Sequence, residues 1–135
     1  MADKQKMEEN YRQLQLLQQQ VEQITEYVEK LQMQHQELDT SIEALAELQK
    51  TTVATEILAP VANGIFLKAE LKDNQKLIVN IGADVTVEKT IPEVLRLLKE
   101  QKEKITENLI EAESVLKELH EHGRRMYLET SEEAE

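Results

Sequence analysis

Apolar residues recur at spacings of three and four from residue 5 to residue 50. With Leu14 at heptad position a, twelve a and d positions run from Met7 to Leu45, and ten of them are apolar. Asn10 and His35 are the exceptions, and neither Gly nor Pro interrupts the segment. A pattern of this kind predicts a coiled-coil helix over 5–50. A second helix is predicted over 90–129. It opens with Thr90-Ile91-Pro92-Glu93, where Thr90 and Glu93 have capping-box spacing and Pro92 falls in the tolerant first turn. Its seam runs through Ile91, Leu95, Leu98, Ile105, Leu109, Ala112, Leu116, Leu119 and Met126. Lys102 and Gly123 break that seam, and Gly123 is expected either to fray or bend the last turns or merely to be tolerated.

The two seams fit each other when the chain folds back so that facing residue numbers sum to 140. Leu45 then faces Leu95, Leu31 faces Leu109, and Leu14 faces Met126. Every a position meets a d position, as an antiparallel pair requires. Each buried Leu or Ile contributes about 1.5–3 kcal/mol, so such a seam can hold a hairpin of helices together. Both chain ends would lie at its far tip. His35 faces Ile105 and Lys102 faces Leu38, so the polar faults are neighbours, and they read as a loosened stretch whose polar ends reach water.

Residues 52–89 have a different period. Ile65, Leu67, Ala69 and Leu71 alternate with Phe66, Lys68 and Glu70. After a turn at Lys72-Asp73-Asn74-Gln75, Leu77, Val79 and Ile81 alternate with Ile78 and Asn80. Another turn at Gly82-Ala83-Asp84 leads to Val85-Thr86-Val87. Upstream, Glu56-Ile57-Leu58-Ala59 precedes Pro60, and Asn63-Gly64 is a strong hairpin-turn signal. Four short strands give two consecutive β-hairpins. Isolated hairpins bury too little surface to be stable, and their open edges invite another chain. The insertion therefore reads as an assembly module, carried by Ile65, Phe66, Leu67, Ala69, Leu71, Leu77, Ile78, Val79, Ile81, Val85 and Val87. The fold class is α+β, mainly α: a long antiparallel intramolecular coiled-coil hairpin with two β-hairpins inserted at its base. It forms one domain over 1–135, with an acidic, disordered tail at 130–135.

Composition narrows the function. The 135 residues carry a formal net charge of −11, and aromatics make up 3 %. Nucleic-acid binding needs clustered Lys and Arg, so nucleic acid is not an expected partner. There is no cysteine, hence no disulfide and no Cys-based zinc site. His120 and His122 point different ways on a helix, and no metal site is expected. No apolar run approaches the ~20 residues of a membrane span. No signal-peptide core opens the sequence, so neither membrane nor export is expected and cytoplasm is the default. There is no phosphate-binding glycine loop and no Ser-His-Asp set. The expectation is a protein that is not an enzyme and takes no cofactor.

The stretch "VANGIFLKAELKDNQKLIVNIGADVTVEKTIPE" at 61–93, set between two long heptad helices, resembles archaeal α subunits of prefoldin. The similarity lies in "FLKAELKD", in "VNIGADVTVEKT" and in the helix start after it. Two hairpins rather than one mark the α class. The resemblance implies a hexamer of two α and four β subunits whose hairpins join in a β-barrel body, from which the coiled coils hang. It also implies ATP-independent capture of unfolded polypeptides and their delivery to a group II chaperonin. A client-binding tip needs adaptable apolar side chains. Met7, Tyr11, Leu14, Met126, Tyr127 and Leu128 map there, together with Met1. Met7, Leu14 and Met126 also belong to the seam, whereas Tyr11, Tyr127 and Leu128 lie off it. The alternative is a purely structural coiled-coil adaptor assembled through its β-hairpins. A transcript-cleavage-type factor fits poorly, because its working tip is a tight helix–helix turn.

Overall fold

The computed structural model describes the backbone of residues 2–133 and the side chains of residues 4–129. The order of elements is α1 (Ala2–Lys50), β1 (Glu56–Ala62), β2 (Ile65–Glu70), β3 (Lys76–Gly82), β4 (Val85–Thr90) and α2 (Ile91–Glu133). The helix α2 continues past residue 129 to Glu133. The sequence there, Glu129-Thr130-Ser131-Glu132-Glu133, contains neither Gly nor Pro, so nothing in it stops a helix. The side chains of the expected acidic tail lie outside the described residues.

Two compact units divide the chain. One joins the stretch up to His35 with the stretch from Lys104 onward, and the other is Gln36–Glu103. In the first unit every seam position from Leu14 to Leu31, and from Ile105 to Met126, is buried or half-buried. Leu17, Val28, Leu31, Ala112 and Met126 are buried outright. A side-chain contact fixes the register. A Cβ added at Gly123 would lie 2.8 Å from Leu17 Cδ2, so Leu17 rests on the glycine backbone. These two numbers sum to 140, as the heptads predict. Of the two expected outcomes, Gly123 is tolerated without fraying: α2 runs through it as continuous helix. The glycine is a slot that lets Leu17 bury its end.

In the second unit, Leu38, Ile42, Leu45, Leu95 and Leu98 are half-buried, and Ile91 is the most buried of the described residues, with no exposed surface. Lys102 is not merely a loosened position, since its ammonium forms an ion pair with Asp39. Both partners are partly exposed, which places the pair among surface bridges worth about 0.2–1 kcal/mol.

The hairpins are antiparallel and separate: β1 pairs only with β2, and β3 only with β4. The first register sets Glu56 opposite Glu70, Ala59 opposite Leu67 and Pro60 opposite Phe66. It shifts after Pro60, so that Ala62 closes the turn against Ile65. Gly64 has φ +76° and supplies the left-handed residue of that turn. The second register sets Leu77 opposite Lys89 and Val79 opposite Val87, with Gly82 closing against Val85. Its turn residues Ala83 (φ 51°) and Asp84 (φ 61°) are both left-handed, the mirror-image geometry that matches strand twist.

The turn between the hairpins ties the unit together. Asp73 accepts hydrogen bonds from the backbone N–H groups of Gln75 (2.8 Å) and Lys76 (3.2 Å). Those donors hold its carboxyl below the usual value. Asn74 donates its side-chain amide to the Thr51 carbonyl just beyond α1 (3.0 Å). The Gln75 carbonyl accepts the Ile91 N–H at the start of α2 (2.9 Å). Helix ends leave such groups without intrahelical partners. One short turn thus serves groups at the ends of both helices. Thr90 Oγ1 accepts the N–H of Glu93 (3.3 Å), the amide bond expected of the N-cap.

Candidate functional site

Two surfaces carry the residues singled out by the sequence. The first lies toward the terminal ends of the two helices, inside the first unit. Tyr11 and Tyr127 are exposed (65 % and 68 %), and Leu128 is also exposed. Met126 is buried and Leu14 half-buried, so both are spent on the seam. Met7 is exposed, although the heptads assign it to the seam. Its heptad partner, residue 133, lies beyond the described side chains, and so does Met1. The six candidates therefore separate: Met7, Tyr11, Tyr127 and Leu128 offer free apolar surface, while Leu14 and Met126 hold the helices together.

Two grooves accompany these residues. Met7 and Tyr11 sit one turn apart on α1 and line a groove with Lys4, Glu8, Arg12 and Gln15. Tyr127 lines another, of about 520 Å³, that includes Leu14, Leu17, Val21, Leu119 and Gly123 together with His120 and Arg124. The missing side chain at Gly123 contributes to its depth. The sequence register pairs Gly123 with Leu17 but reads the glycine as a fault in the seam, so it does not show this groove.

The second surface is the pair of hairpins. With two strands in each sheet, every strand has an outer edge that no strand of this chain covers. Ile65, Phe66, Leu67, Ile81 and Val85 are exposed, and Ile78 reaches 79 %. Ala69, Leu77, Val79 and Val87 are half-buried. Leu71 stands apart from this set. It follows β2, is buried, and bonds through its backbone to Ala54 and Thr55 (2.7 and 2.9 Å). It belongs to the chain's own junction and offers no assembly surface. Leu58 and Val61 of β1 are exposed and were not among the expected residues. The alternation of β1 marks Leu58 as a companion of Phe66, since Pro60 pairs with Phe66 and Leu58 with Lys68 on one face.

No group of three or more His, Cys, Asp or Glu side chains that could hold a metal ion occurs among the described residues. Nor is any helix among them long and apolar enough to cross a membrane.

Residues 4–134 match the family model described as "Prefoldin: Prefoldin subunit". The chain belongs to the prefoldin family. Among similar proteins, the prefoldin subunit alpha of Archaeoglobus fulgidus is 26 % identical over 129 residues, covering 96 % of this chain and 94 % of that one. The alpha subunit of Methanosphaera stadtmanae is 32 % identical over 102 residues, which cover 76 % of this chain and 72 % of its own. That of Methanococcus aeolicus is 36 % identical over 89 residues, and the match spans 60 % of its length. These relatives are archaeal α subunits, and the two-hairpin insertion agrees with that class. A chain in the cryo-EM structure of filamentous PFD from Methanocaldococcus jannaschii has the same fold. Its TM-score is 0.75 at 18 % identity, and the match covers 88 % of this chain and 98 % of that one. This chain is thus a prefoldin chaperone subunit of α type. Prefoldin subunits assemble into oligomers with one another.

Proposed function

We propose that this subunit joins a second copy of itself and four β subunits in a hexamer that captures unfolded polypeptides in the cytoplasm without ATP and delivers them to a group II chaperonin. The observation that carries the reading is the pair of hairpins in a prefoldin chain. Each has uncovered edges and exposed Ile, Leu, Phe or Val side chains, a combination that two-stranded sheets do not sustain alone. Capture is assigned to Tyr11, Tyr127, Leu128 and Met7. Their exposure supports contact with apolar segments of many sequences. One such site binds weakly, and several converging on one client gain avidity.

The test is the native mass of this chain mixed one to two with a candidate single-hairpin β subunit. A hexamer is expected, and two non-interacting components would refute the assembly. The neighbour of the same fold was solved as a filament, which favours one second reading: self-assembly of this chain through the same edges. Growing mass of the chain alone, without β subunit, would select that reading.

A further inference from the structure

The turn of the first hairpin places the one Asn-Gly step of the sequence at an exposed position that no side chain shields. Of the five asparagines, Asn10 and Asn108 lie inside helices. Asn74 is tied to the Thr51 carbonyl, and Asn80 Oδ1 accepts the N–H of Gly82. Asn63 is exposed and makes no side-chain hydrogen bond among the described residues. Gly64 follows it with open space where a Cβ would stand, so no side chain hinders the approach of its nitrogen. Asparagine is a thermolabile residue, and a following glycine is the neighbour that slows its cyclisation least.

We propose that Asn63 is a site of spontaneous deamidation that ages the subunit while it is unassembled and removes its competence to assemble. In the reaction, the Gly64 backbone nitrogen attacks Asn63 Cγ. The N–Cγ bond forms and the Cγ–Nδ2 bond breaks. Ammonia leaves, carrying the amide proton, and a cyclic imide remains. Water then opens the ring. Opening at one carbonyl gives aspartate, and at the other isoaspartate, whose main chain runs through the former side chain. No electrons are transferred, and water is the sole co-reactant.

The consequence follows from register. Asn63 and Gly64 alone span the turn between the paired residues Ala62 and Ile65. Isoaspartate adds a methylene to that two-residue link. A pairing slip of one residue turns every strand side chain to the opposite face, so Ile65, Phe66 and Leu67 lose their positions together. The reaction needs backbone freedom at Asn63, which the closed turn restrains. It therefore proceeds through the frayed hairpin, and a free two-stranded hairpin frays readily. Pairing of the hairpin edges in an assembly slows it.

This consequence for assembly rests on the hexamer proposed above, whereas the chemistry does not. The chain alone and the chain mixed with β subunit are incubated at mildly alkaline pH, then mapped by mass spectrometry with an isoaspartate-specific methyltransferase. A synthetic peptide of residues 58–70 is the unrestrained reference. Isoaspartate is expected at 63 and at none of the other four asparagines, fastest in the peptide and slowest in the mixture. Conversion of the peptide with none in the free chain would overturn the site. Aged chain should need about tenfold more β subunit to assemble, the equivalent of roughly 1.4 kcal/mol. Chain that has converted yet assembles like fresh material would overturn the consequence. Asn63→Ser should stay competent through the same incubation, and its failing in step with the native chain would place the lesion elsewhere. Asn63→Asp should assemble normally, because it adds the charge without the extra carbon. Its failure would overturn the register argument. If fresh chain and β subunit do not associate at all, the hexamer reading fails, and isoaspartate in the free chain still decides the site.

Discussion

Replacing Gly123 with alanine sets two effects of similar size against each other. Alanine in a helix interior is favoured over glycine by about 0.8–1.0 kcal/mol. The new methyl group, however, would lie 2.8 Å from Leu17 Cδ2 and 4.0 Å from Leu17 Cγ. Carbon atoms rest at about 3.5–4.0 Å, so Leu17 must move by nearly 1 Å or leave its slot. Overpacking of this kind costs about 1–3 kcal/mol. Gly123→Ala should therefore destabilise the native chain by about 1 kcal/mol, the propensity gain being outweighed. Leu17→Ala should cost about 2–3 kcal/mol, since Leu17 is buried and its removal leaves an unfilled slot. With Leu17 gone the clash is gone too. Gly123→Ala should then stabilise the Leu17→Ala chain by about 1 kcal/mol. The assay is a double-mutant cycle by urea unfolding, followed by helical circular dichroism, and the expected coupling is about 2 kcal/mol. Equal effects of Gly123→Ala in both backgrounds, within about 0.5 kcal/mol, would mean that residues 17 and 123 do not touch and would refute the register.

Asp73 titrates below its usual 3.8, because it accepts the backbone hydrogen bonds of Gln75 and Lys76. A folded pKa lowered in this way stabilises the turn above the unfolded value and is lost as pH falls through the folded one. A carboxyl NMR titration should give a midpoint below 3.8, and a midpoint at or above it would remove that role. Ala83 holds a left-handed φ of 51°, where asparagine is more at ease than alanine, so Ala83→Asn should slow amide exchange in β3 and β4 by the equivalent of about 0.5–1 kcal/mol. Unchanged exchange would count against a strained turn. Leu67→Asp places a charge on an exposed strand face and should abolish the hexamer while sparing helical signal, whereas a hexamer of normal mass would clear that face of any role. Ser in place of Tyr11, Tyr127 and Leu128 should weaken client capture and leave assembly intact, and unchanged capture would contradict the assignment of those residues.

Much of this architecture could be read from periodicity. The heptads gave both helices, and their matching apolar seams gave the register that the contact of Leu17 with Gly123 bears out. The alternation and turn residues gave four strands in two hairpins. What escaped the reading depends on contacts that no local pattern encodes. The register pairs Gly123 with Leu17, but only the contact shows that the leucine docks on the glycine backbone. The amide of Asn74 reaches a carbonyl 23 residues away, and Leu71 continues the alternation of β2 although the chain there has already turned into its own core. The ion pair of Lys102 with Asp39 was one position from the seam residue that Lys102 was expected to face. Among the terminal candidates, heptad position separated Tyr11, Tyr127 and Leu128 from Leu14 and Met126, and Met7, whose heptad partner lies beyond the described side chains, is exposed.

The most direct test of the chaperone reading is light scattering of a denatured client diluted into buffer without nucleotide. This chain alone, a β subunit alone and the two mixed at one to two are compared. The strongest suppression of aggregation is expected in the mixture, together with the mass of a hexamer. A hexamer that leaves aggregation at the level of either component alone would contradict it.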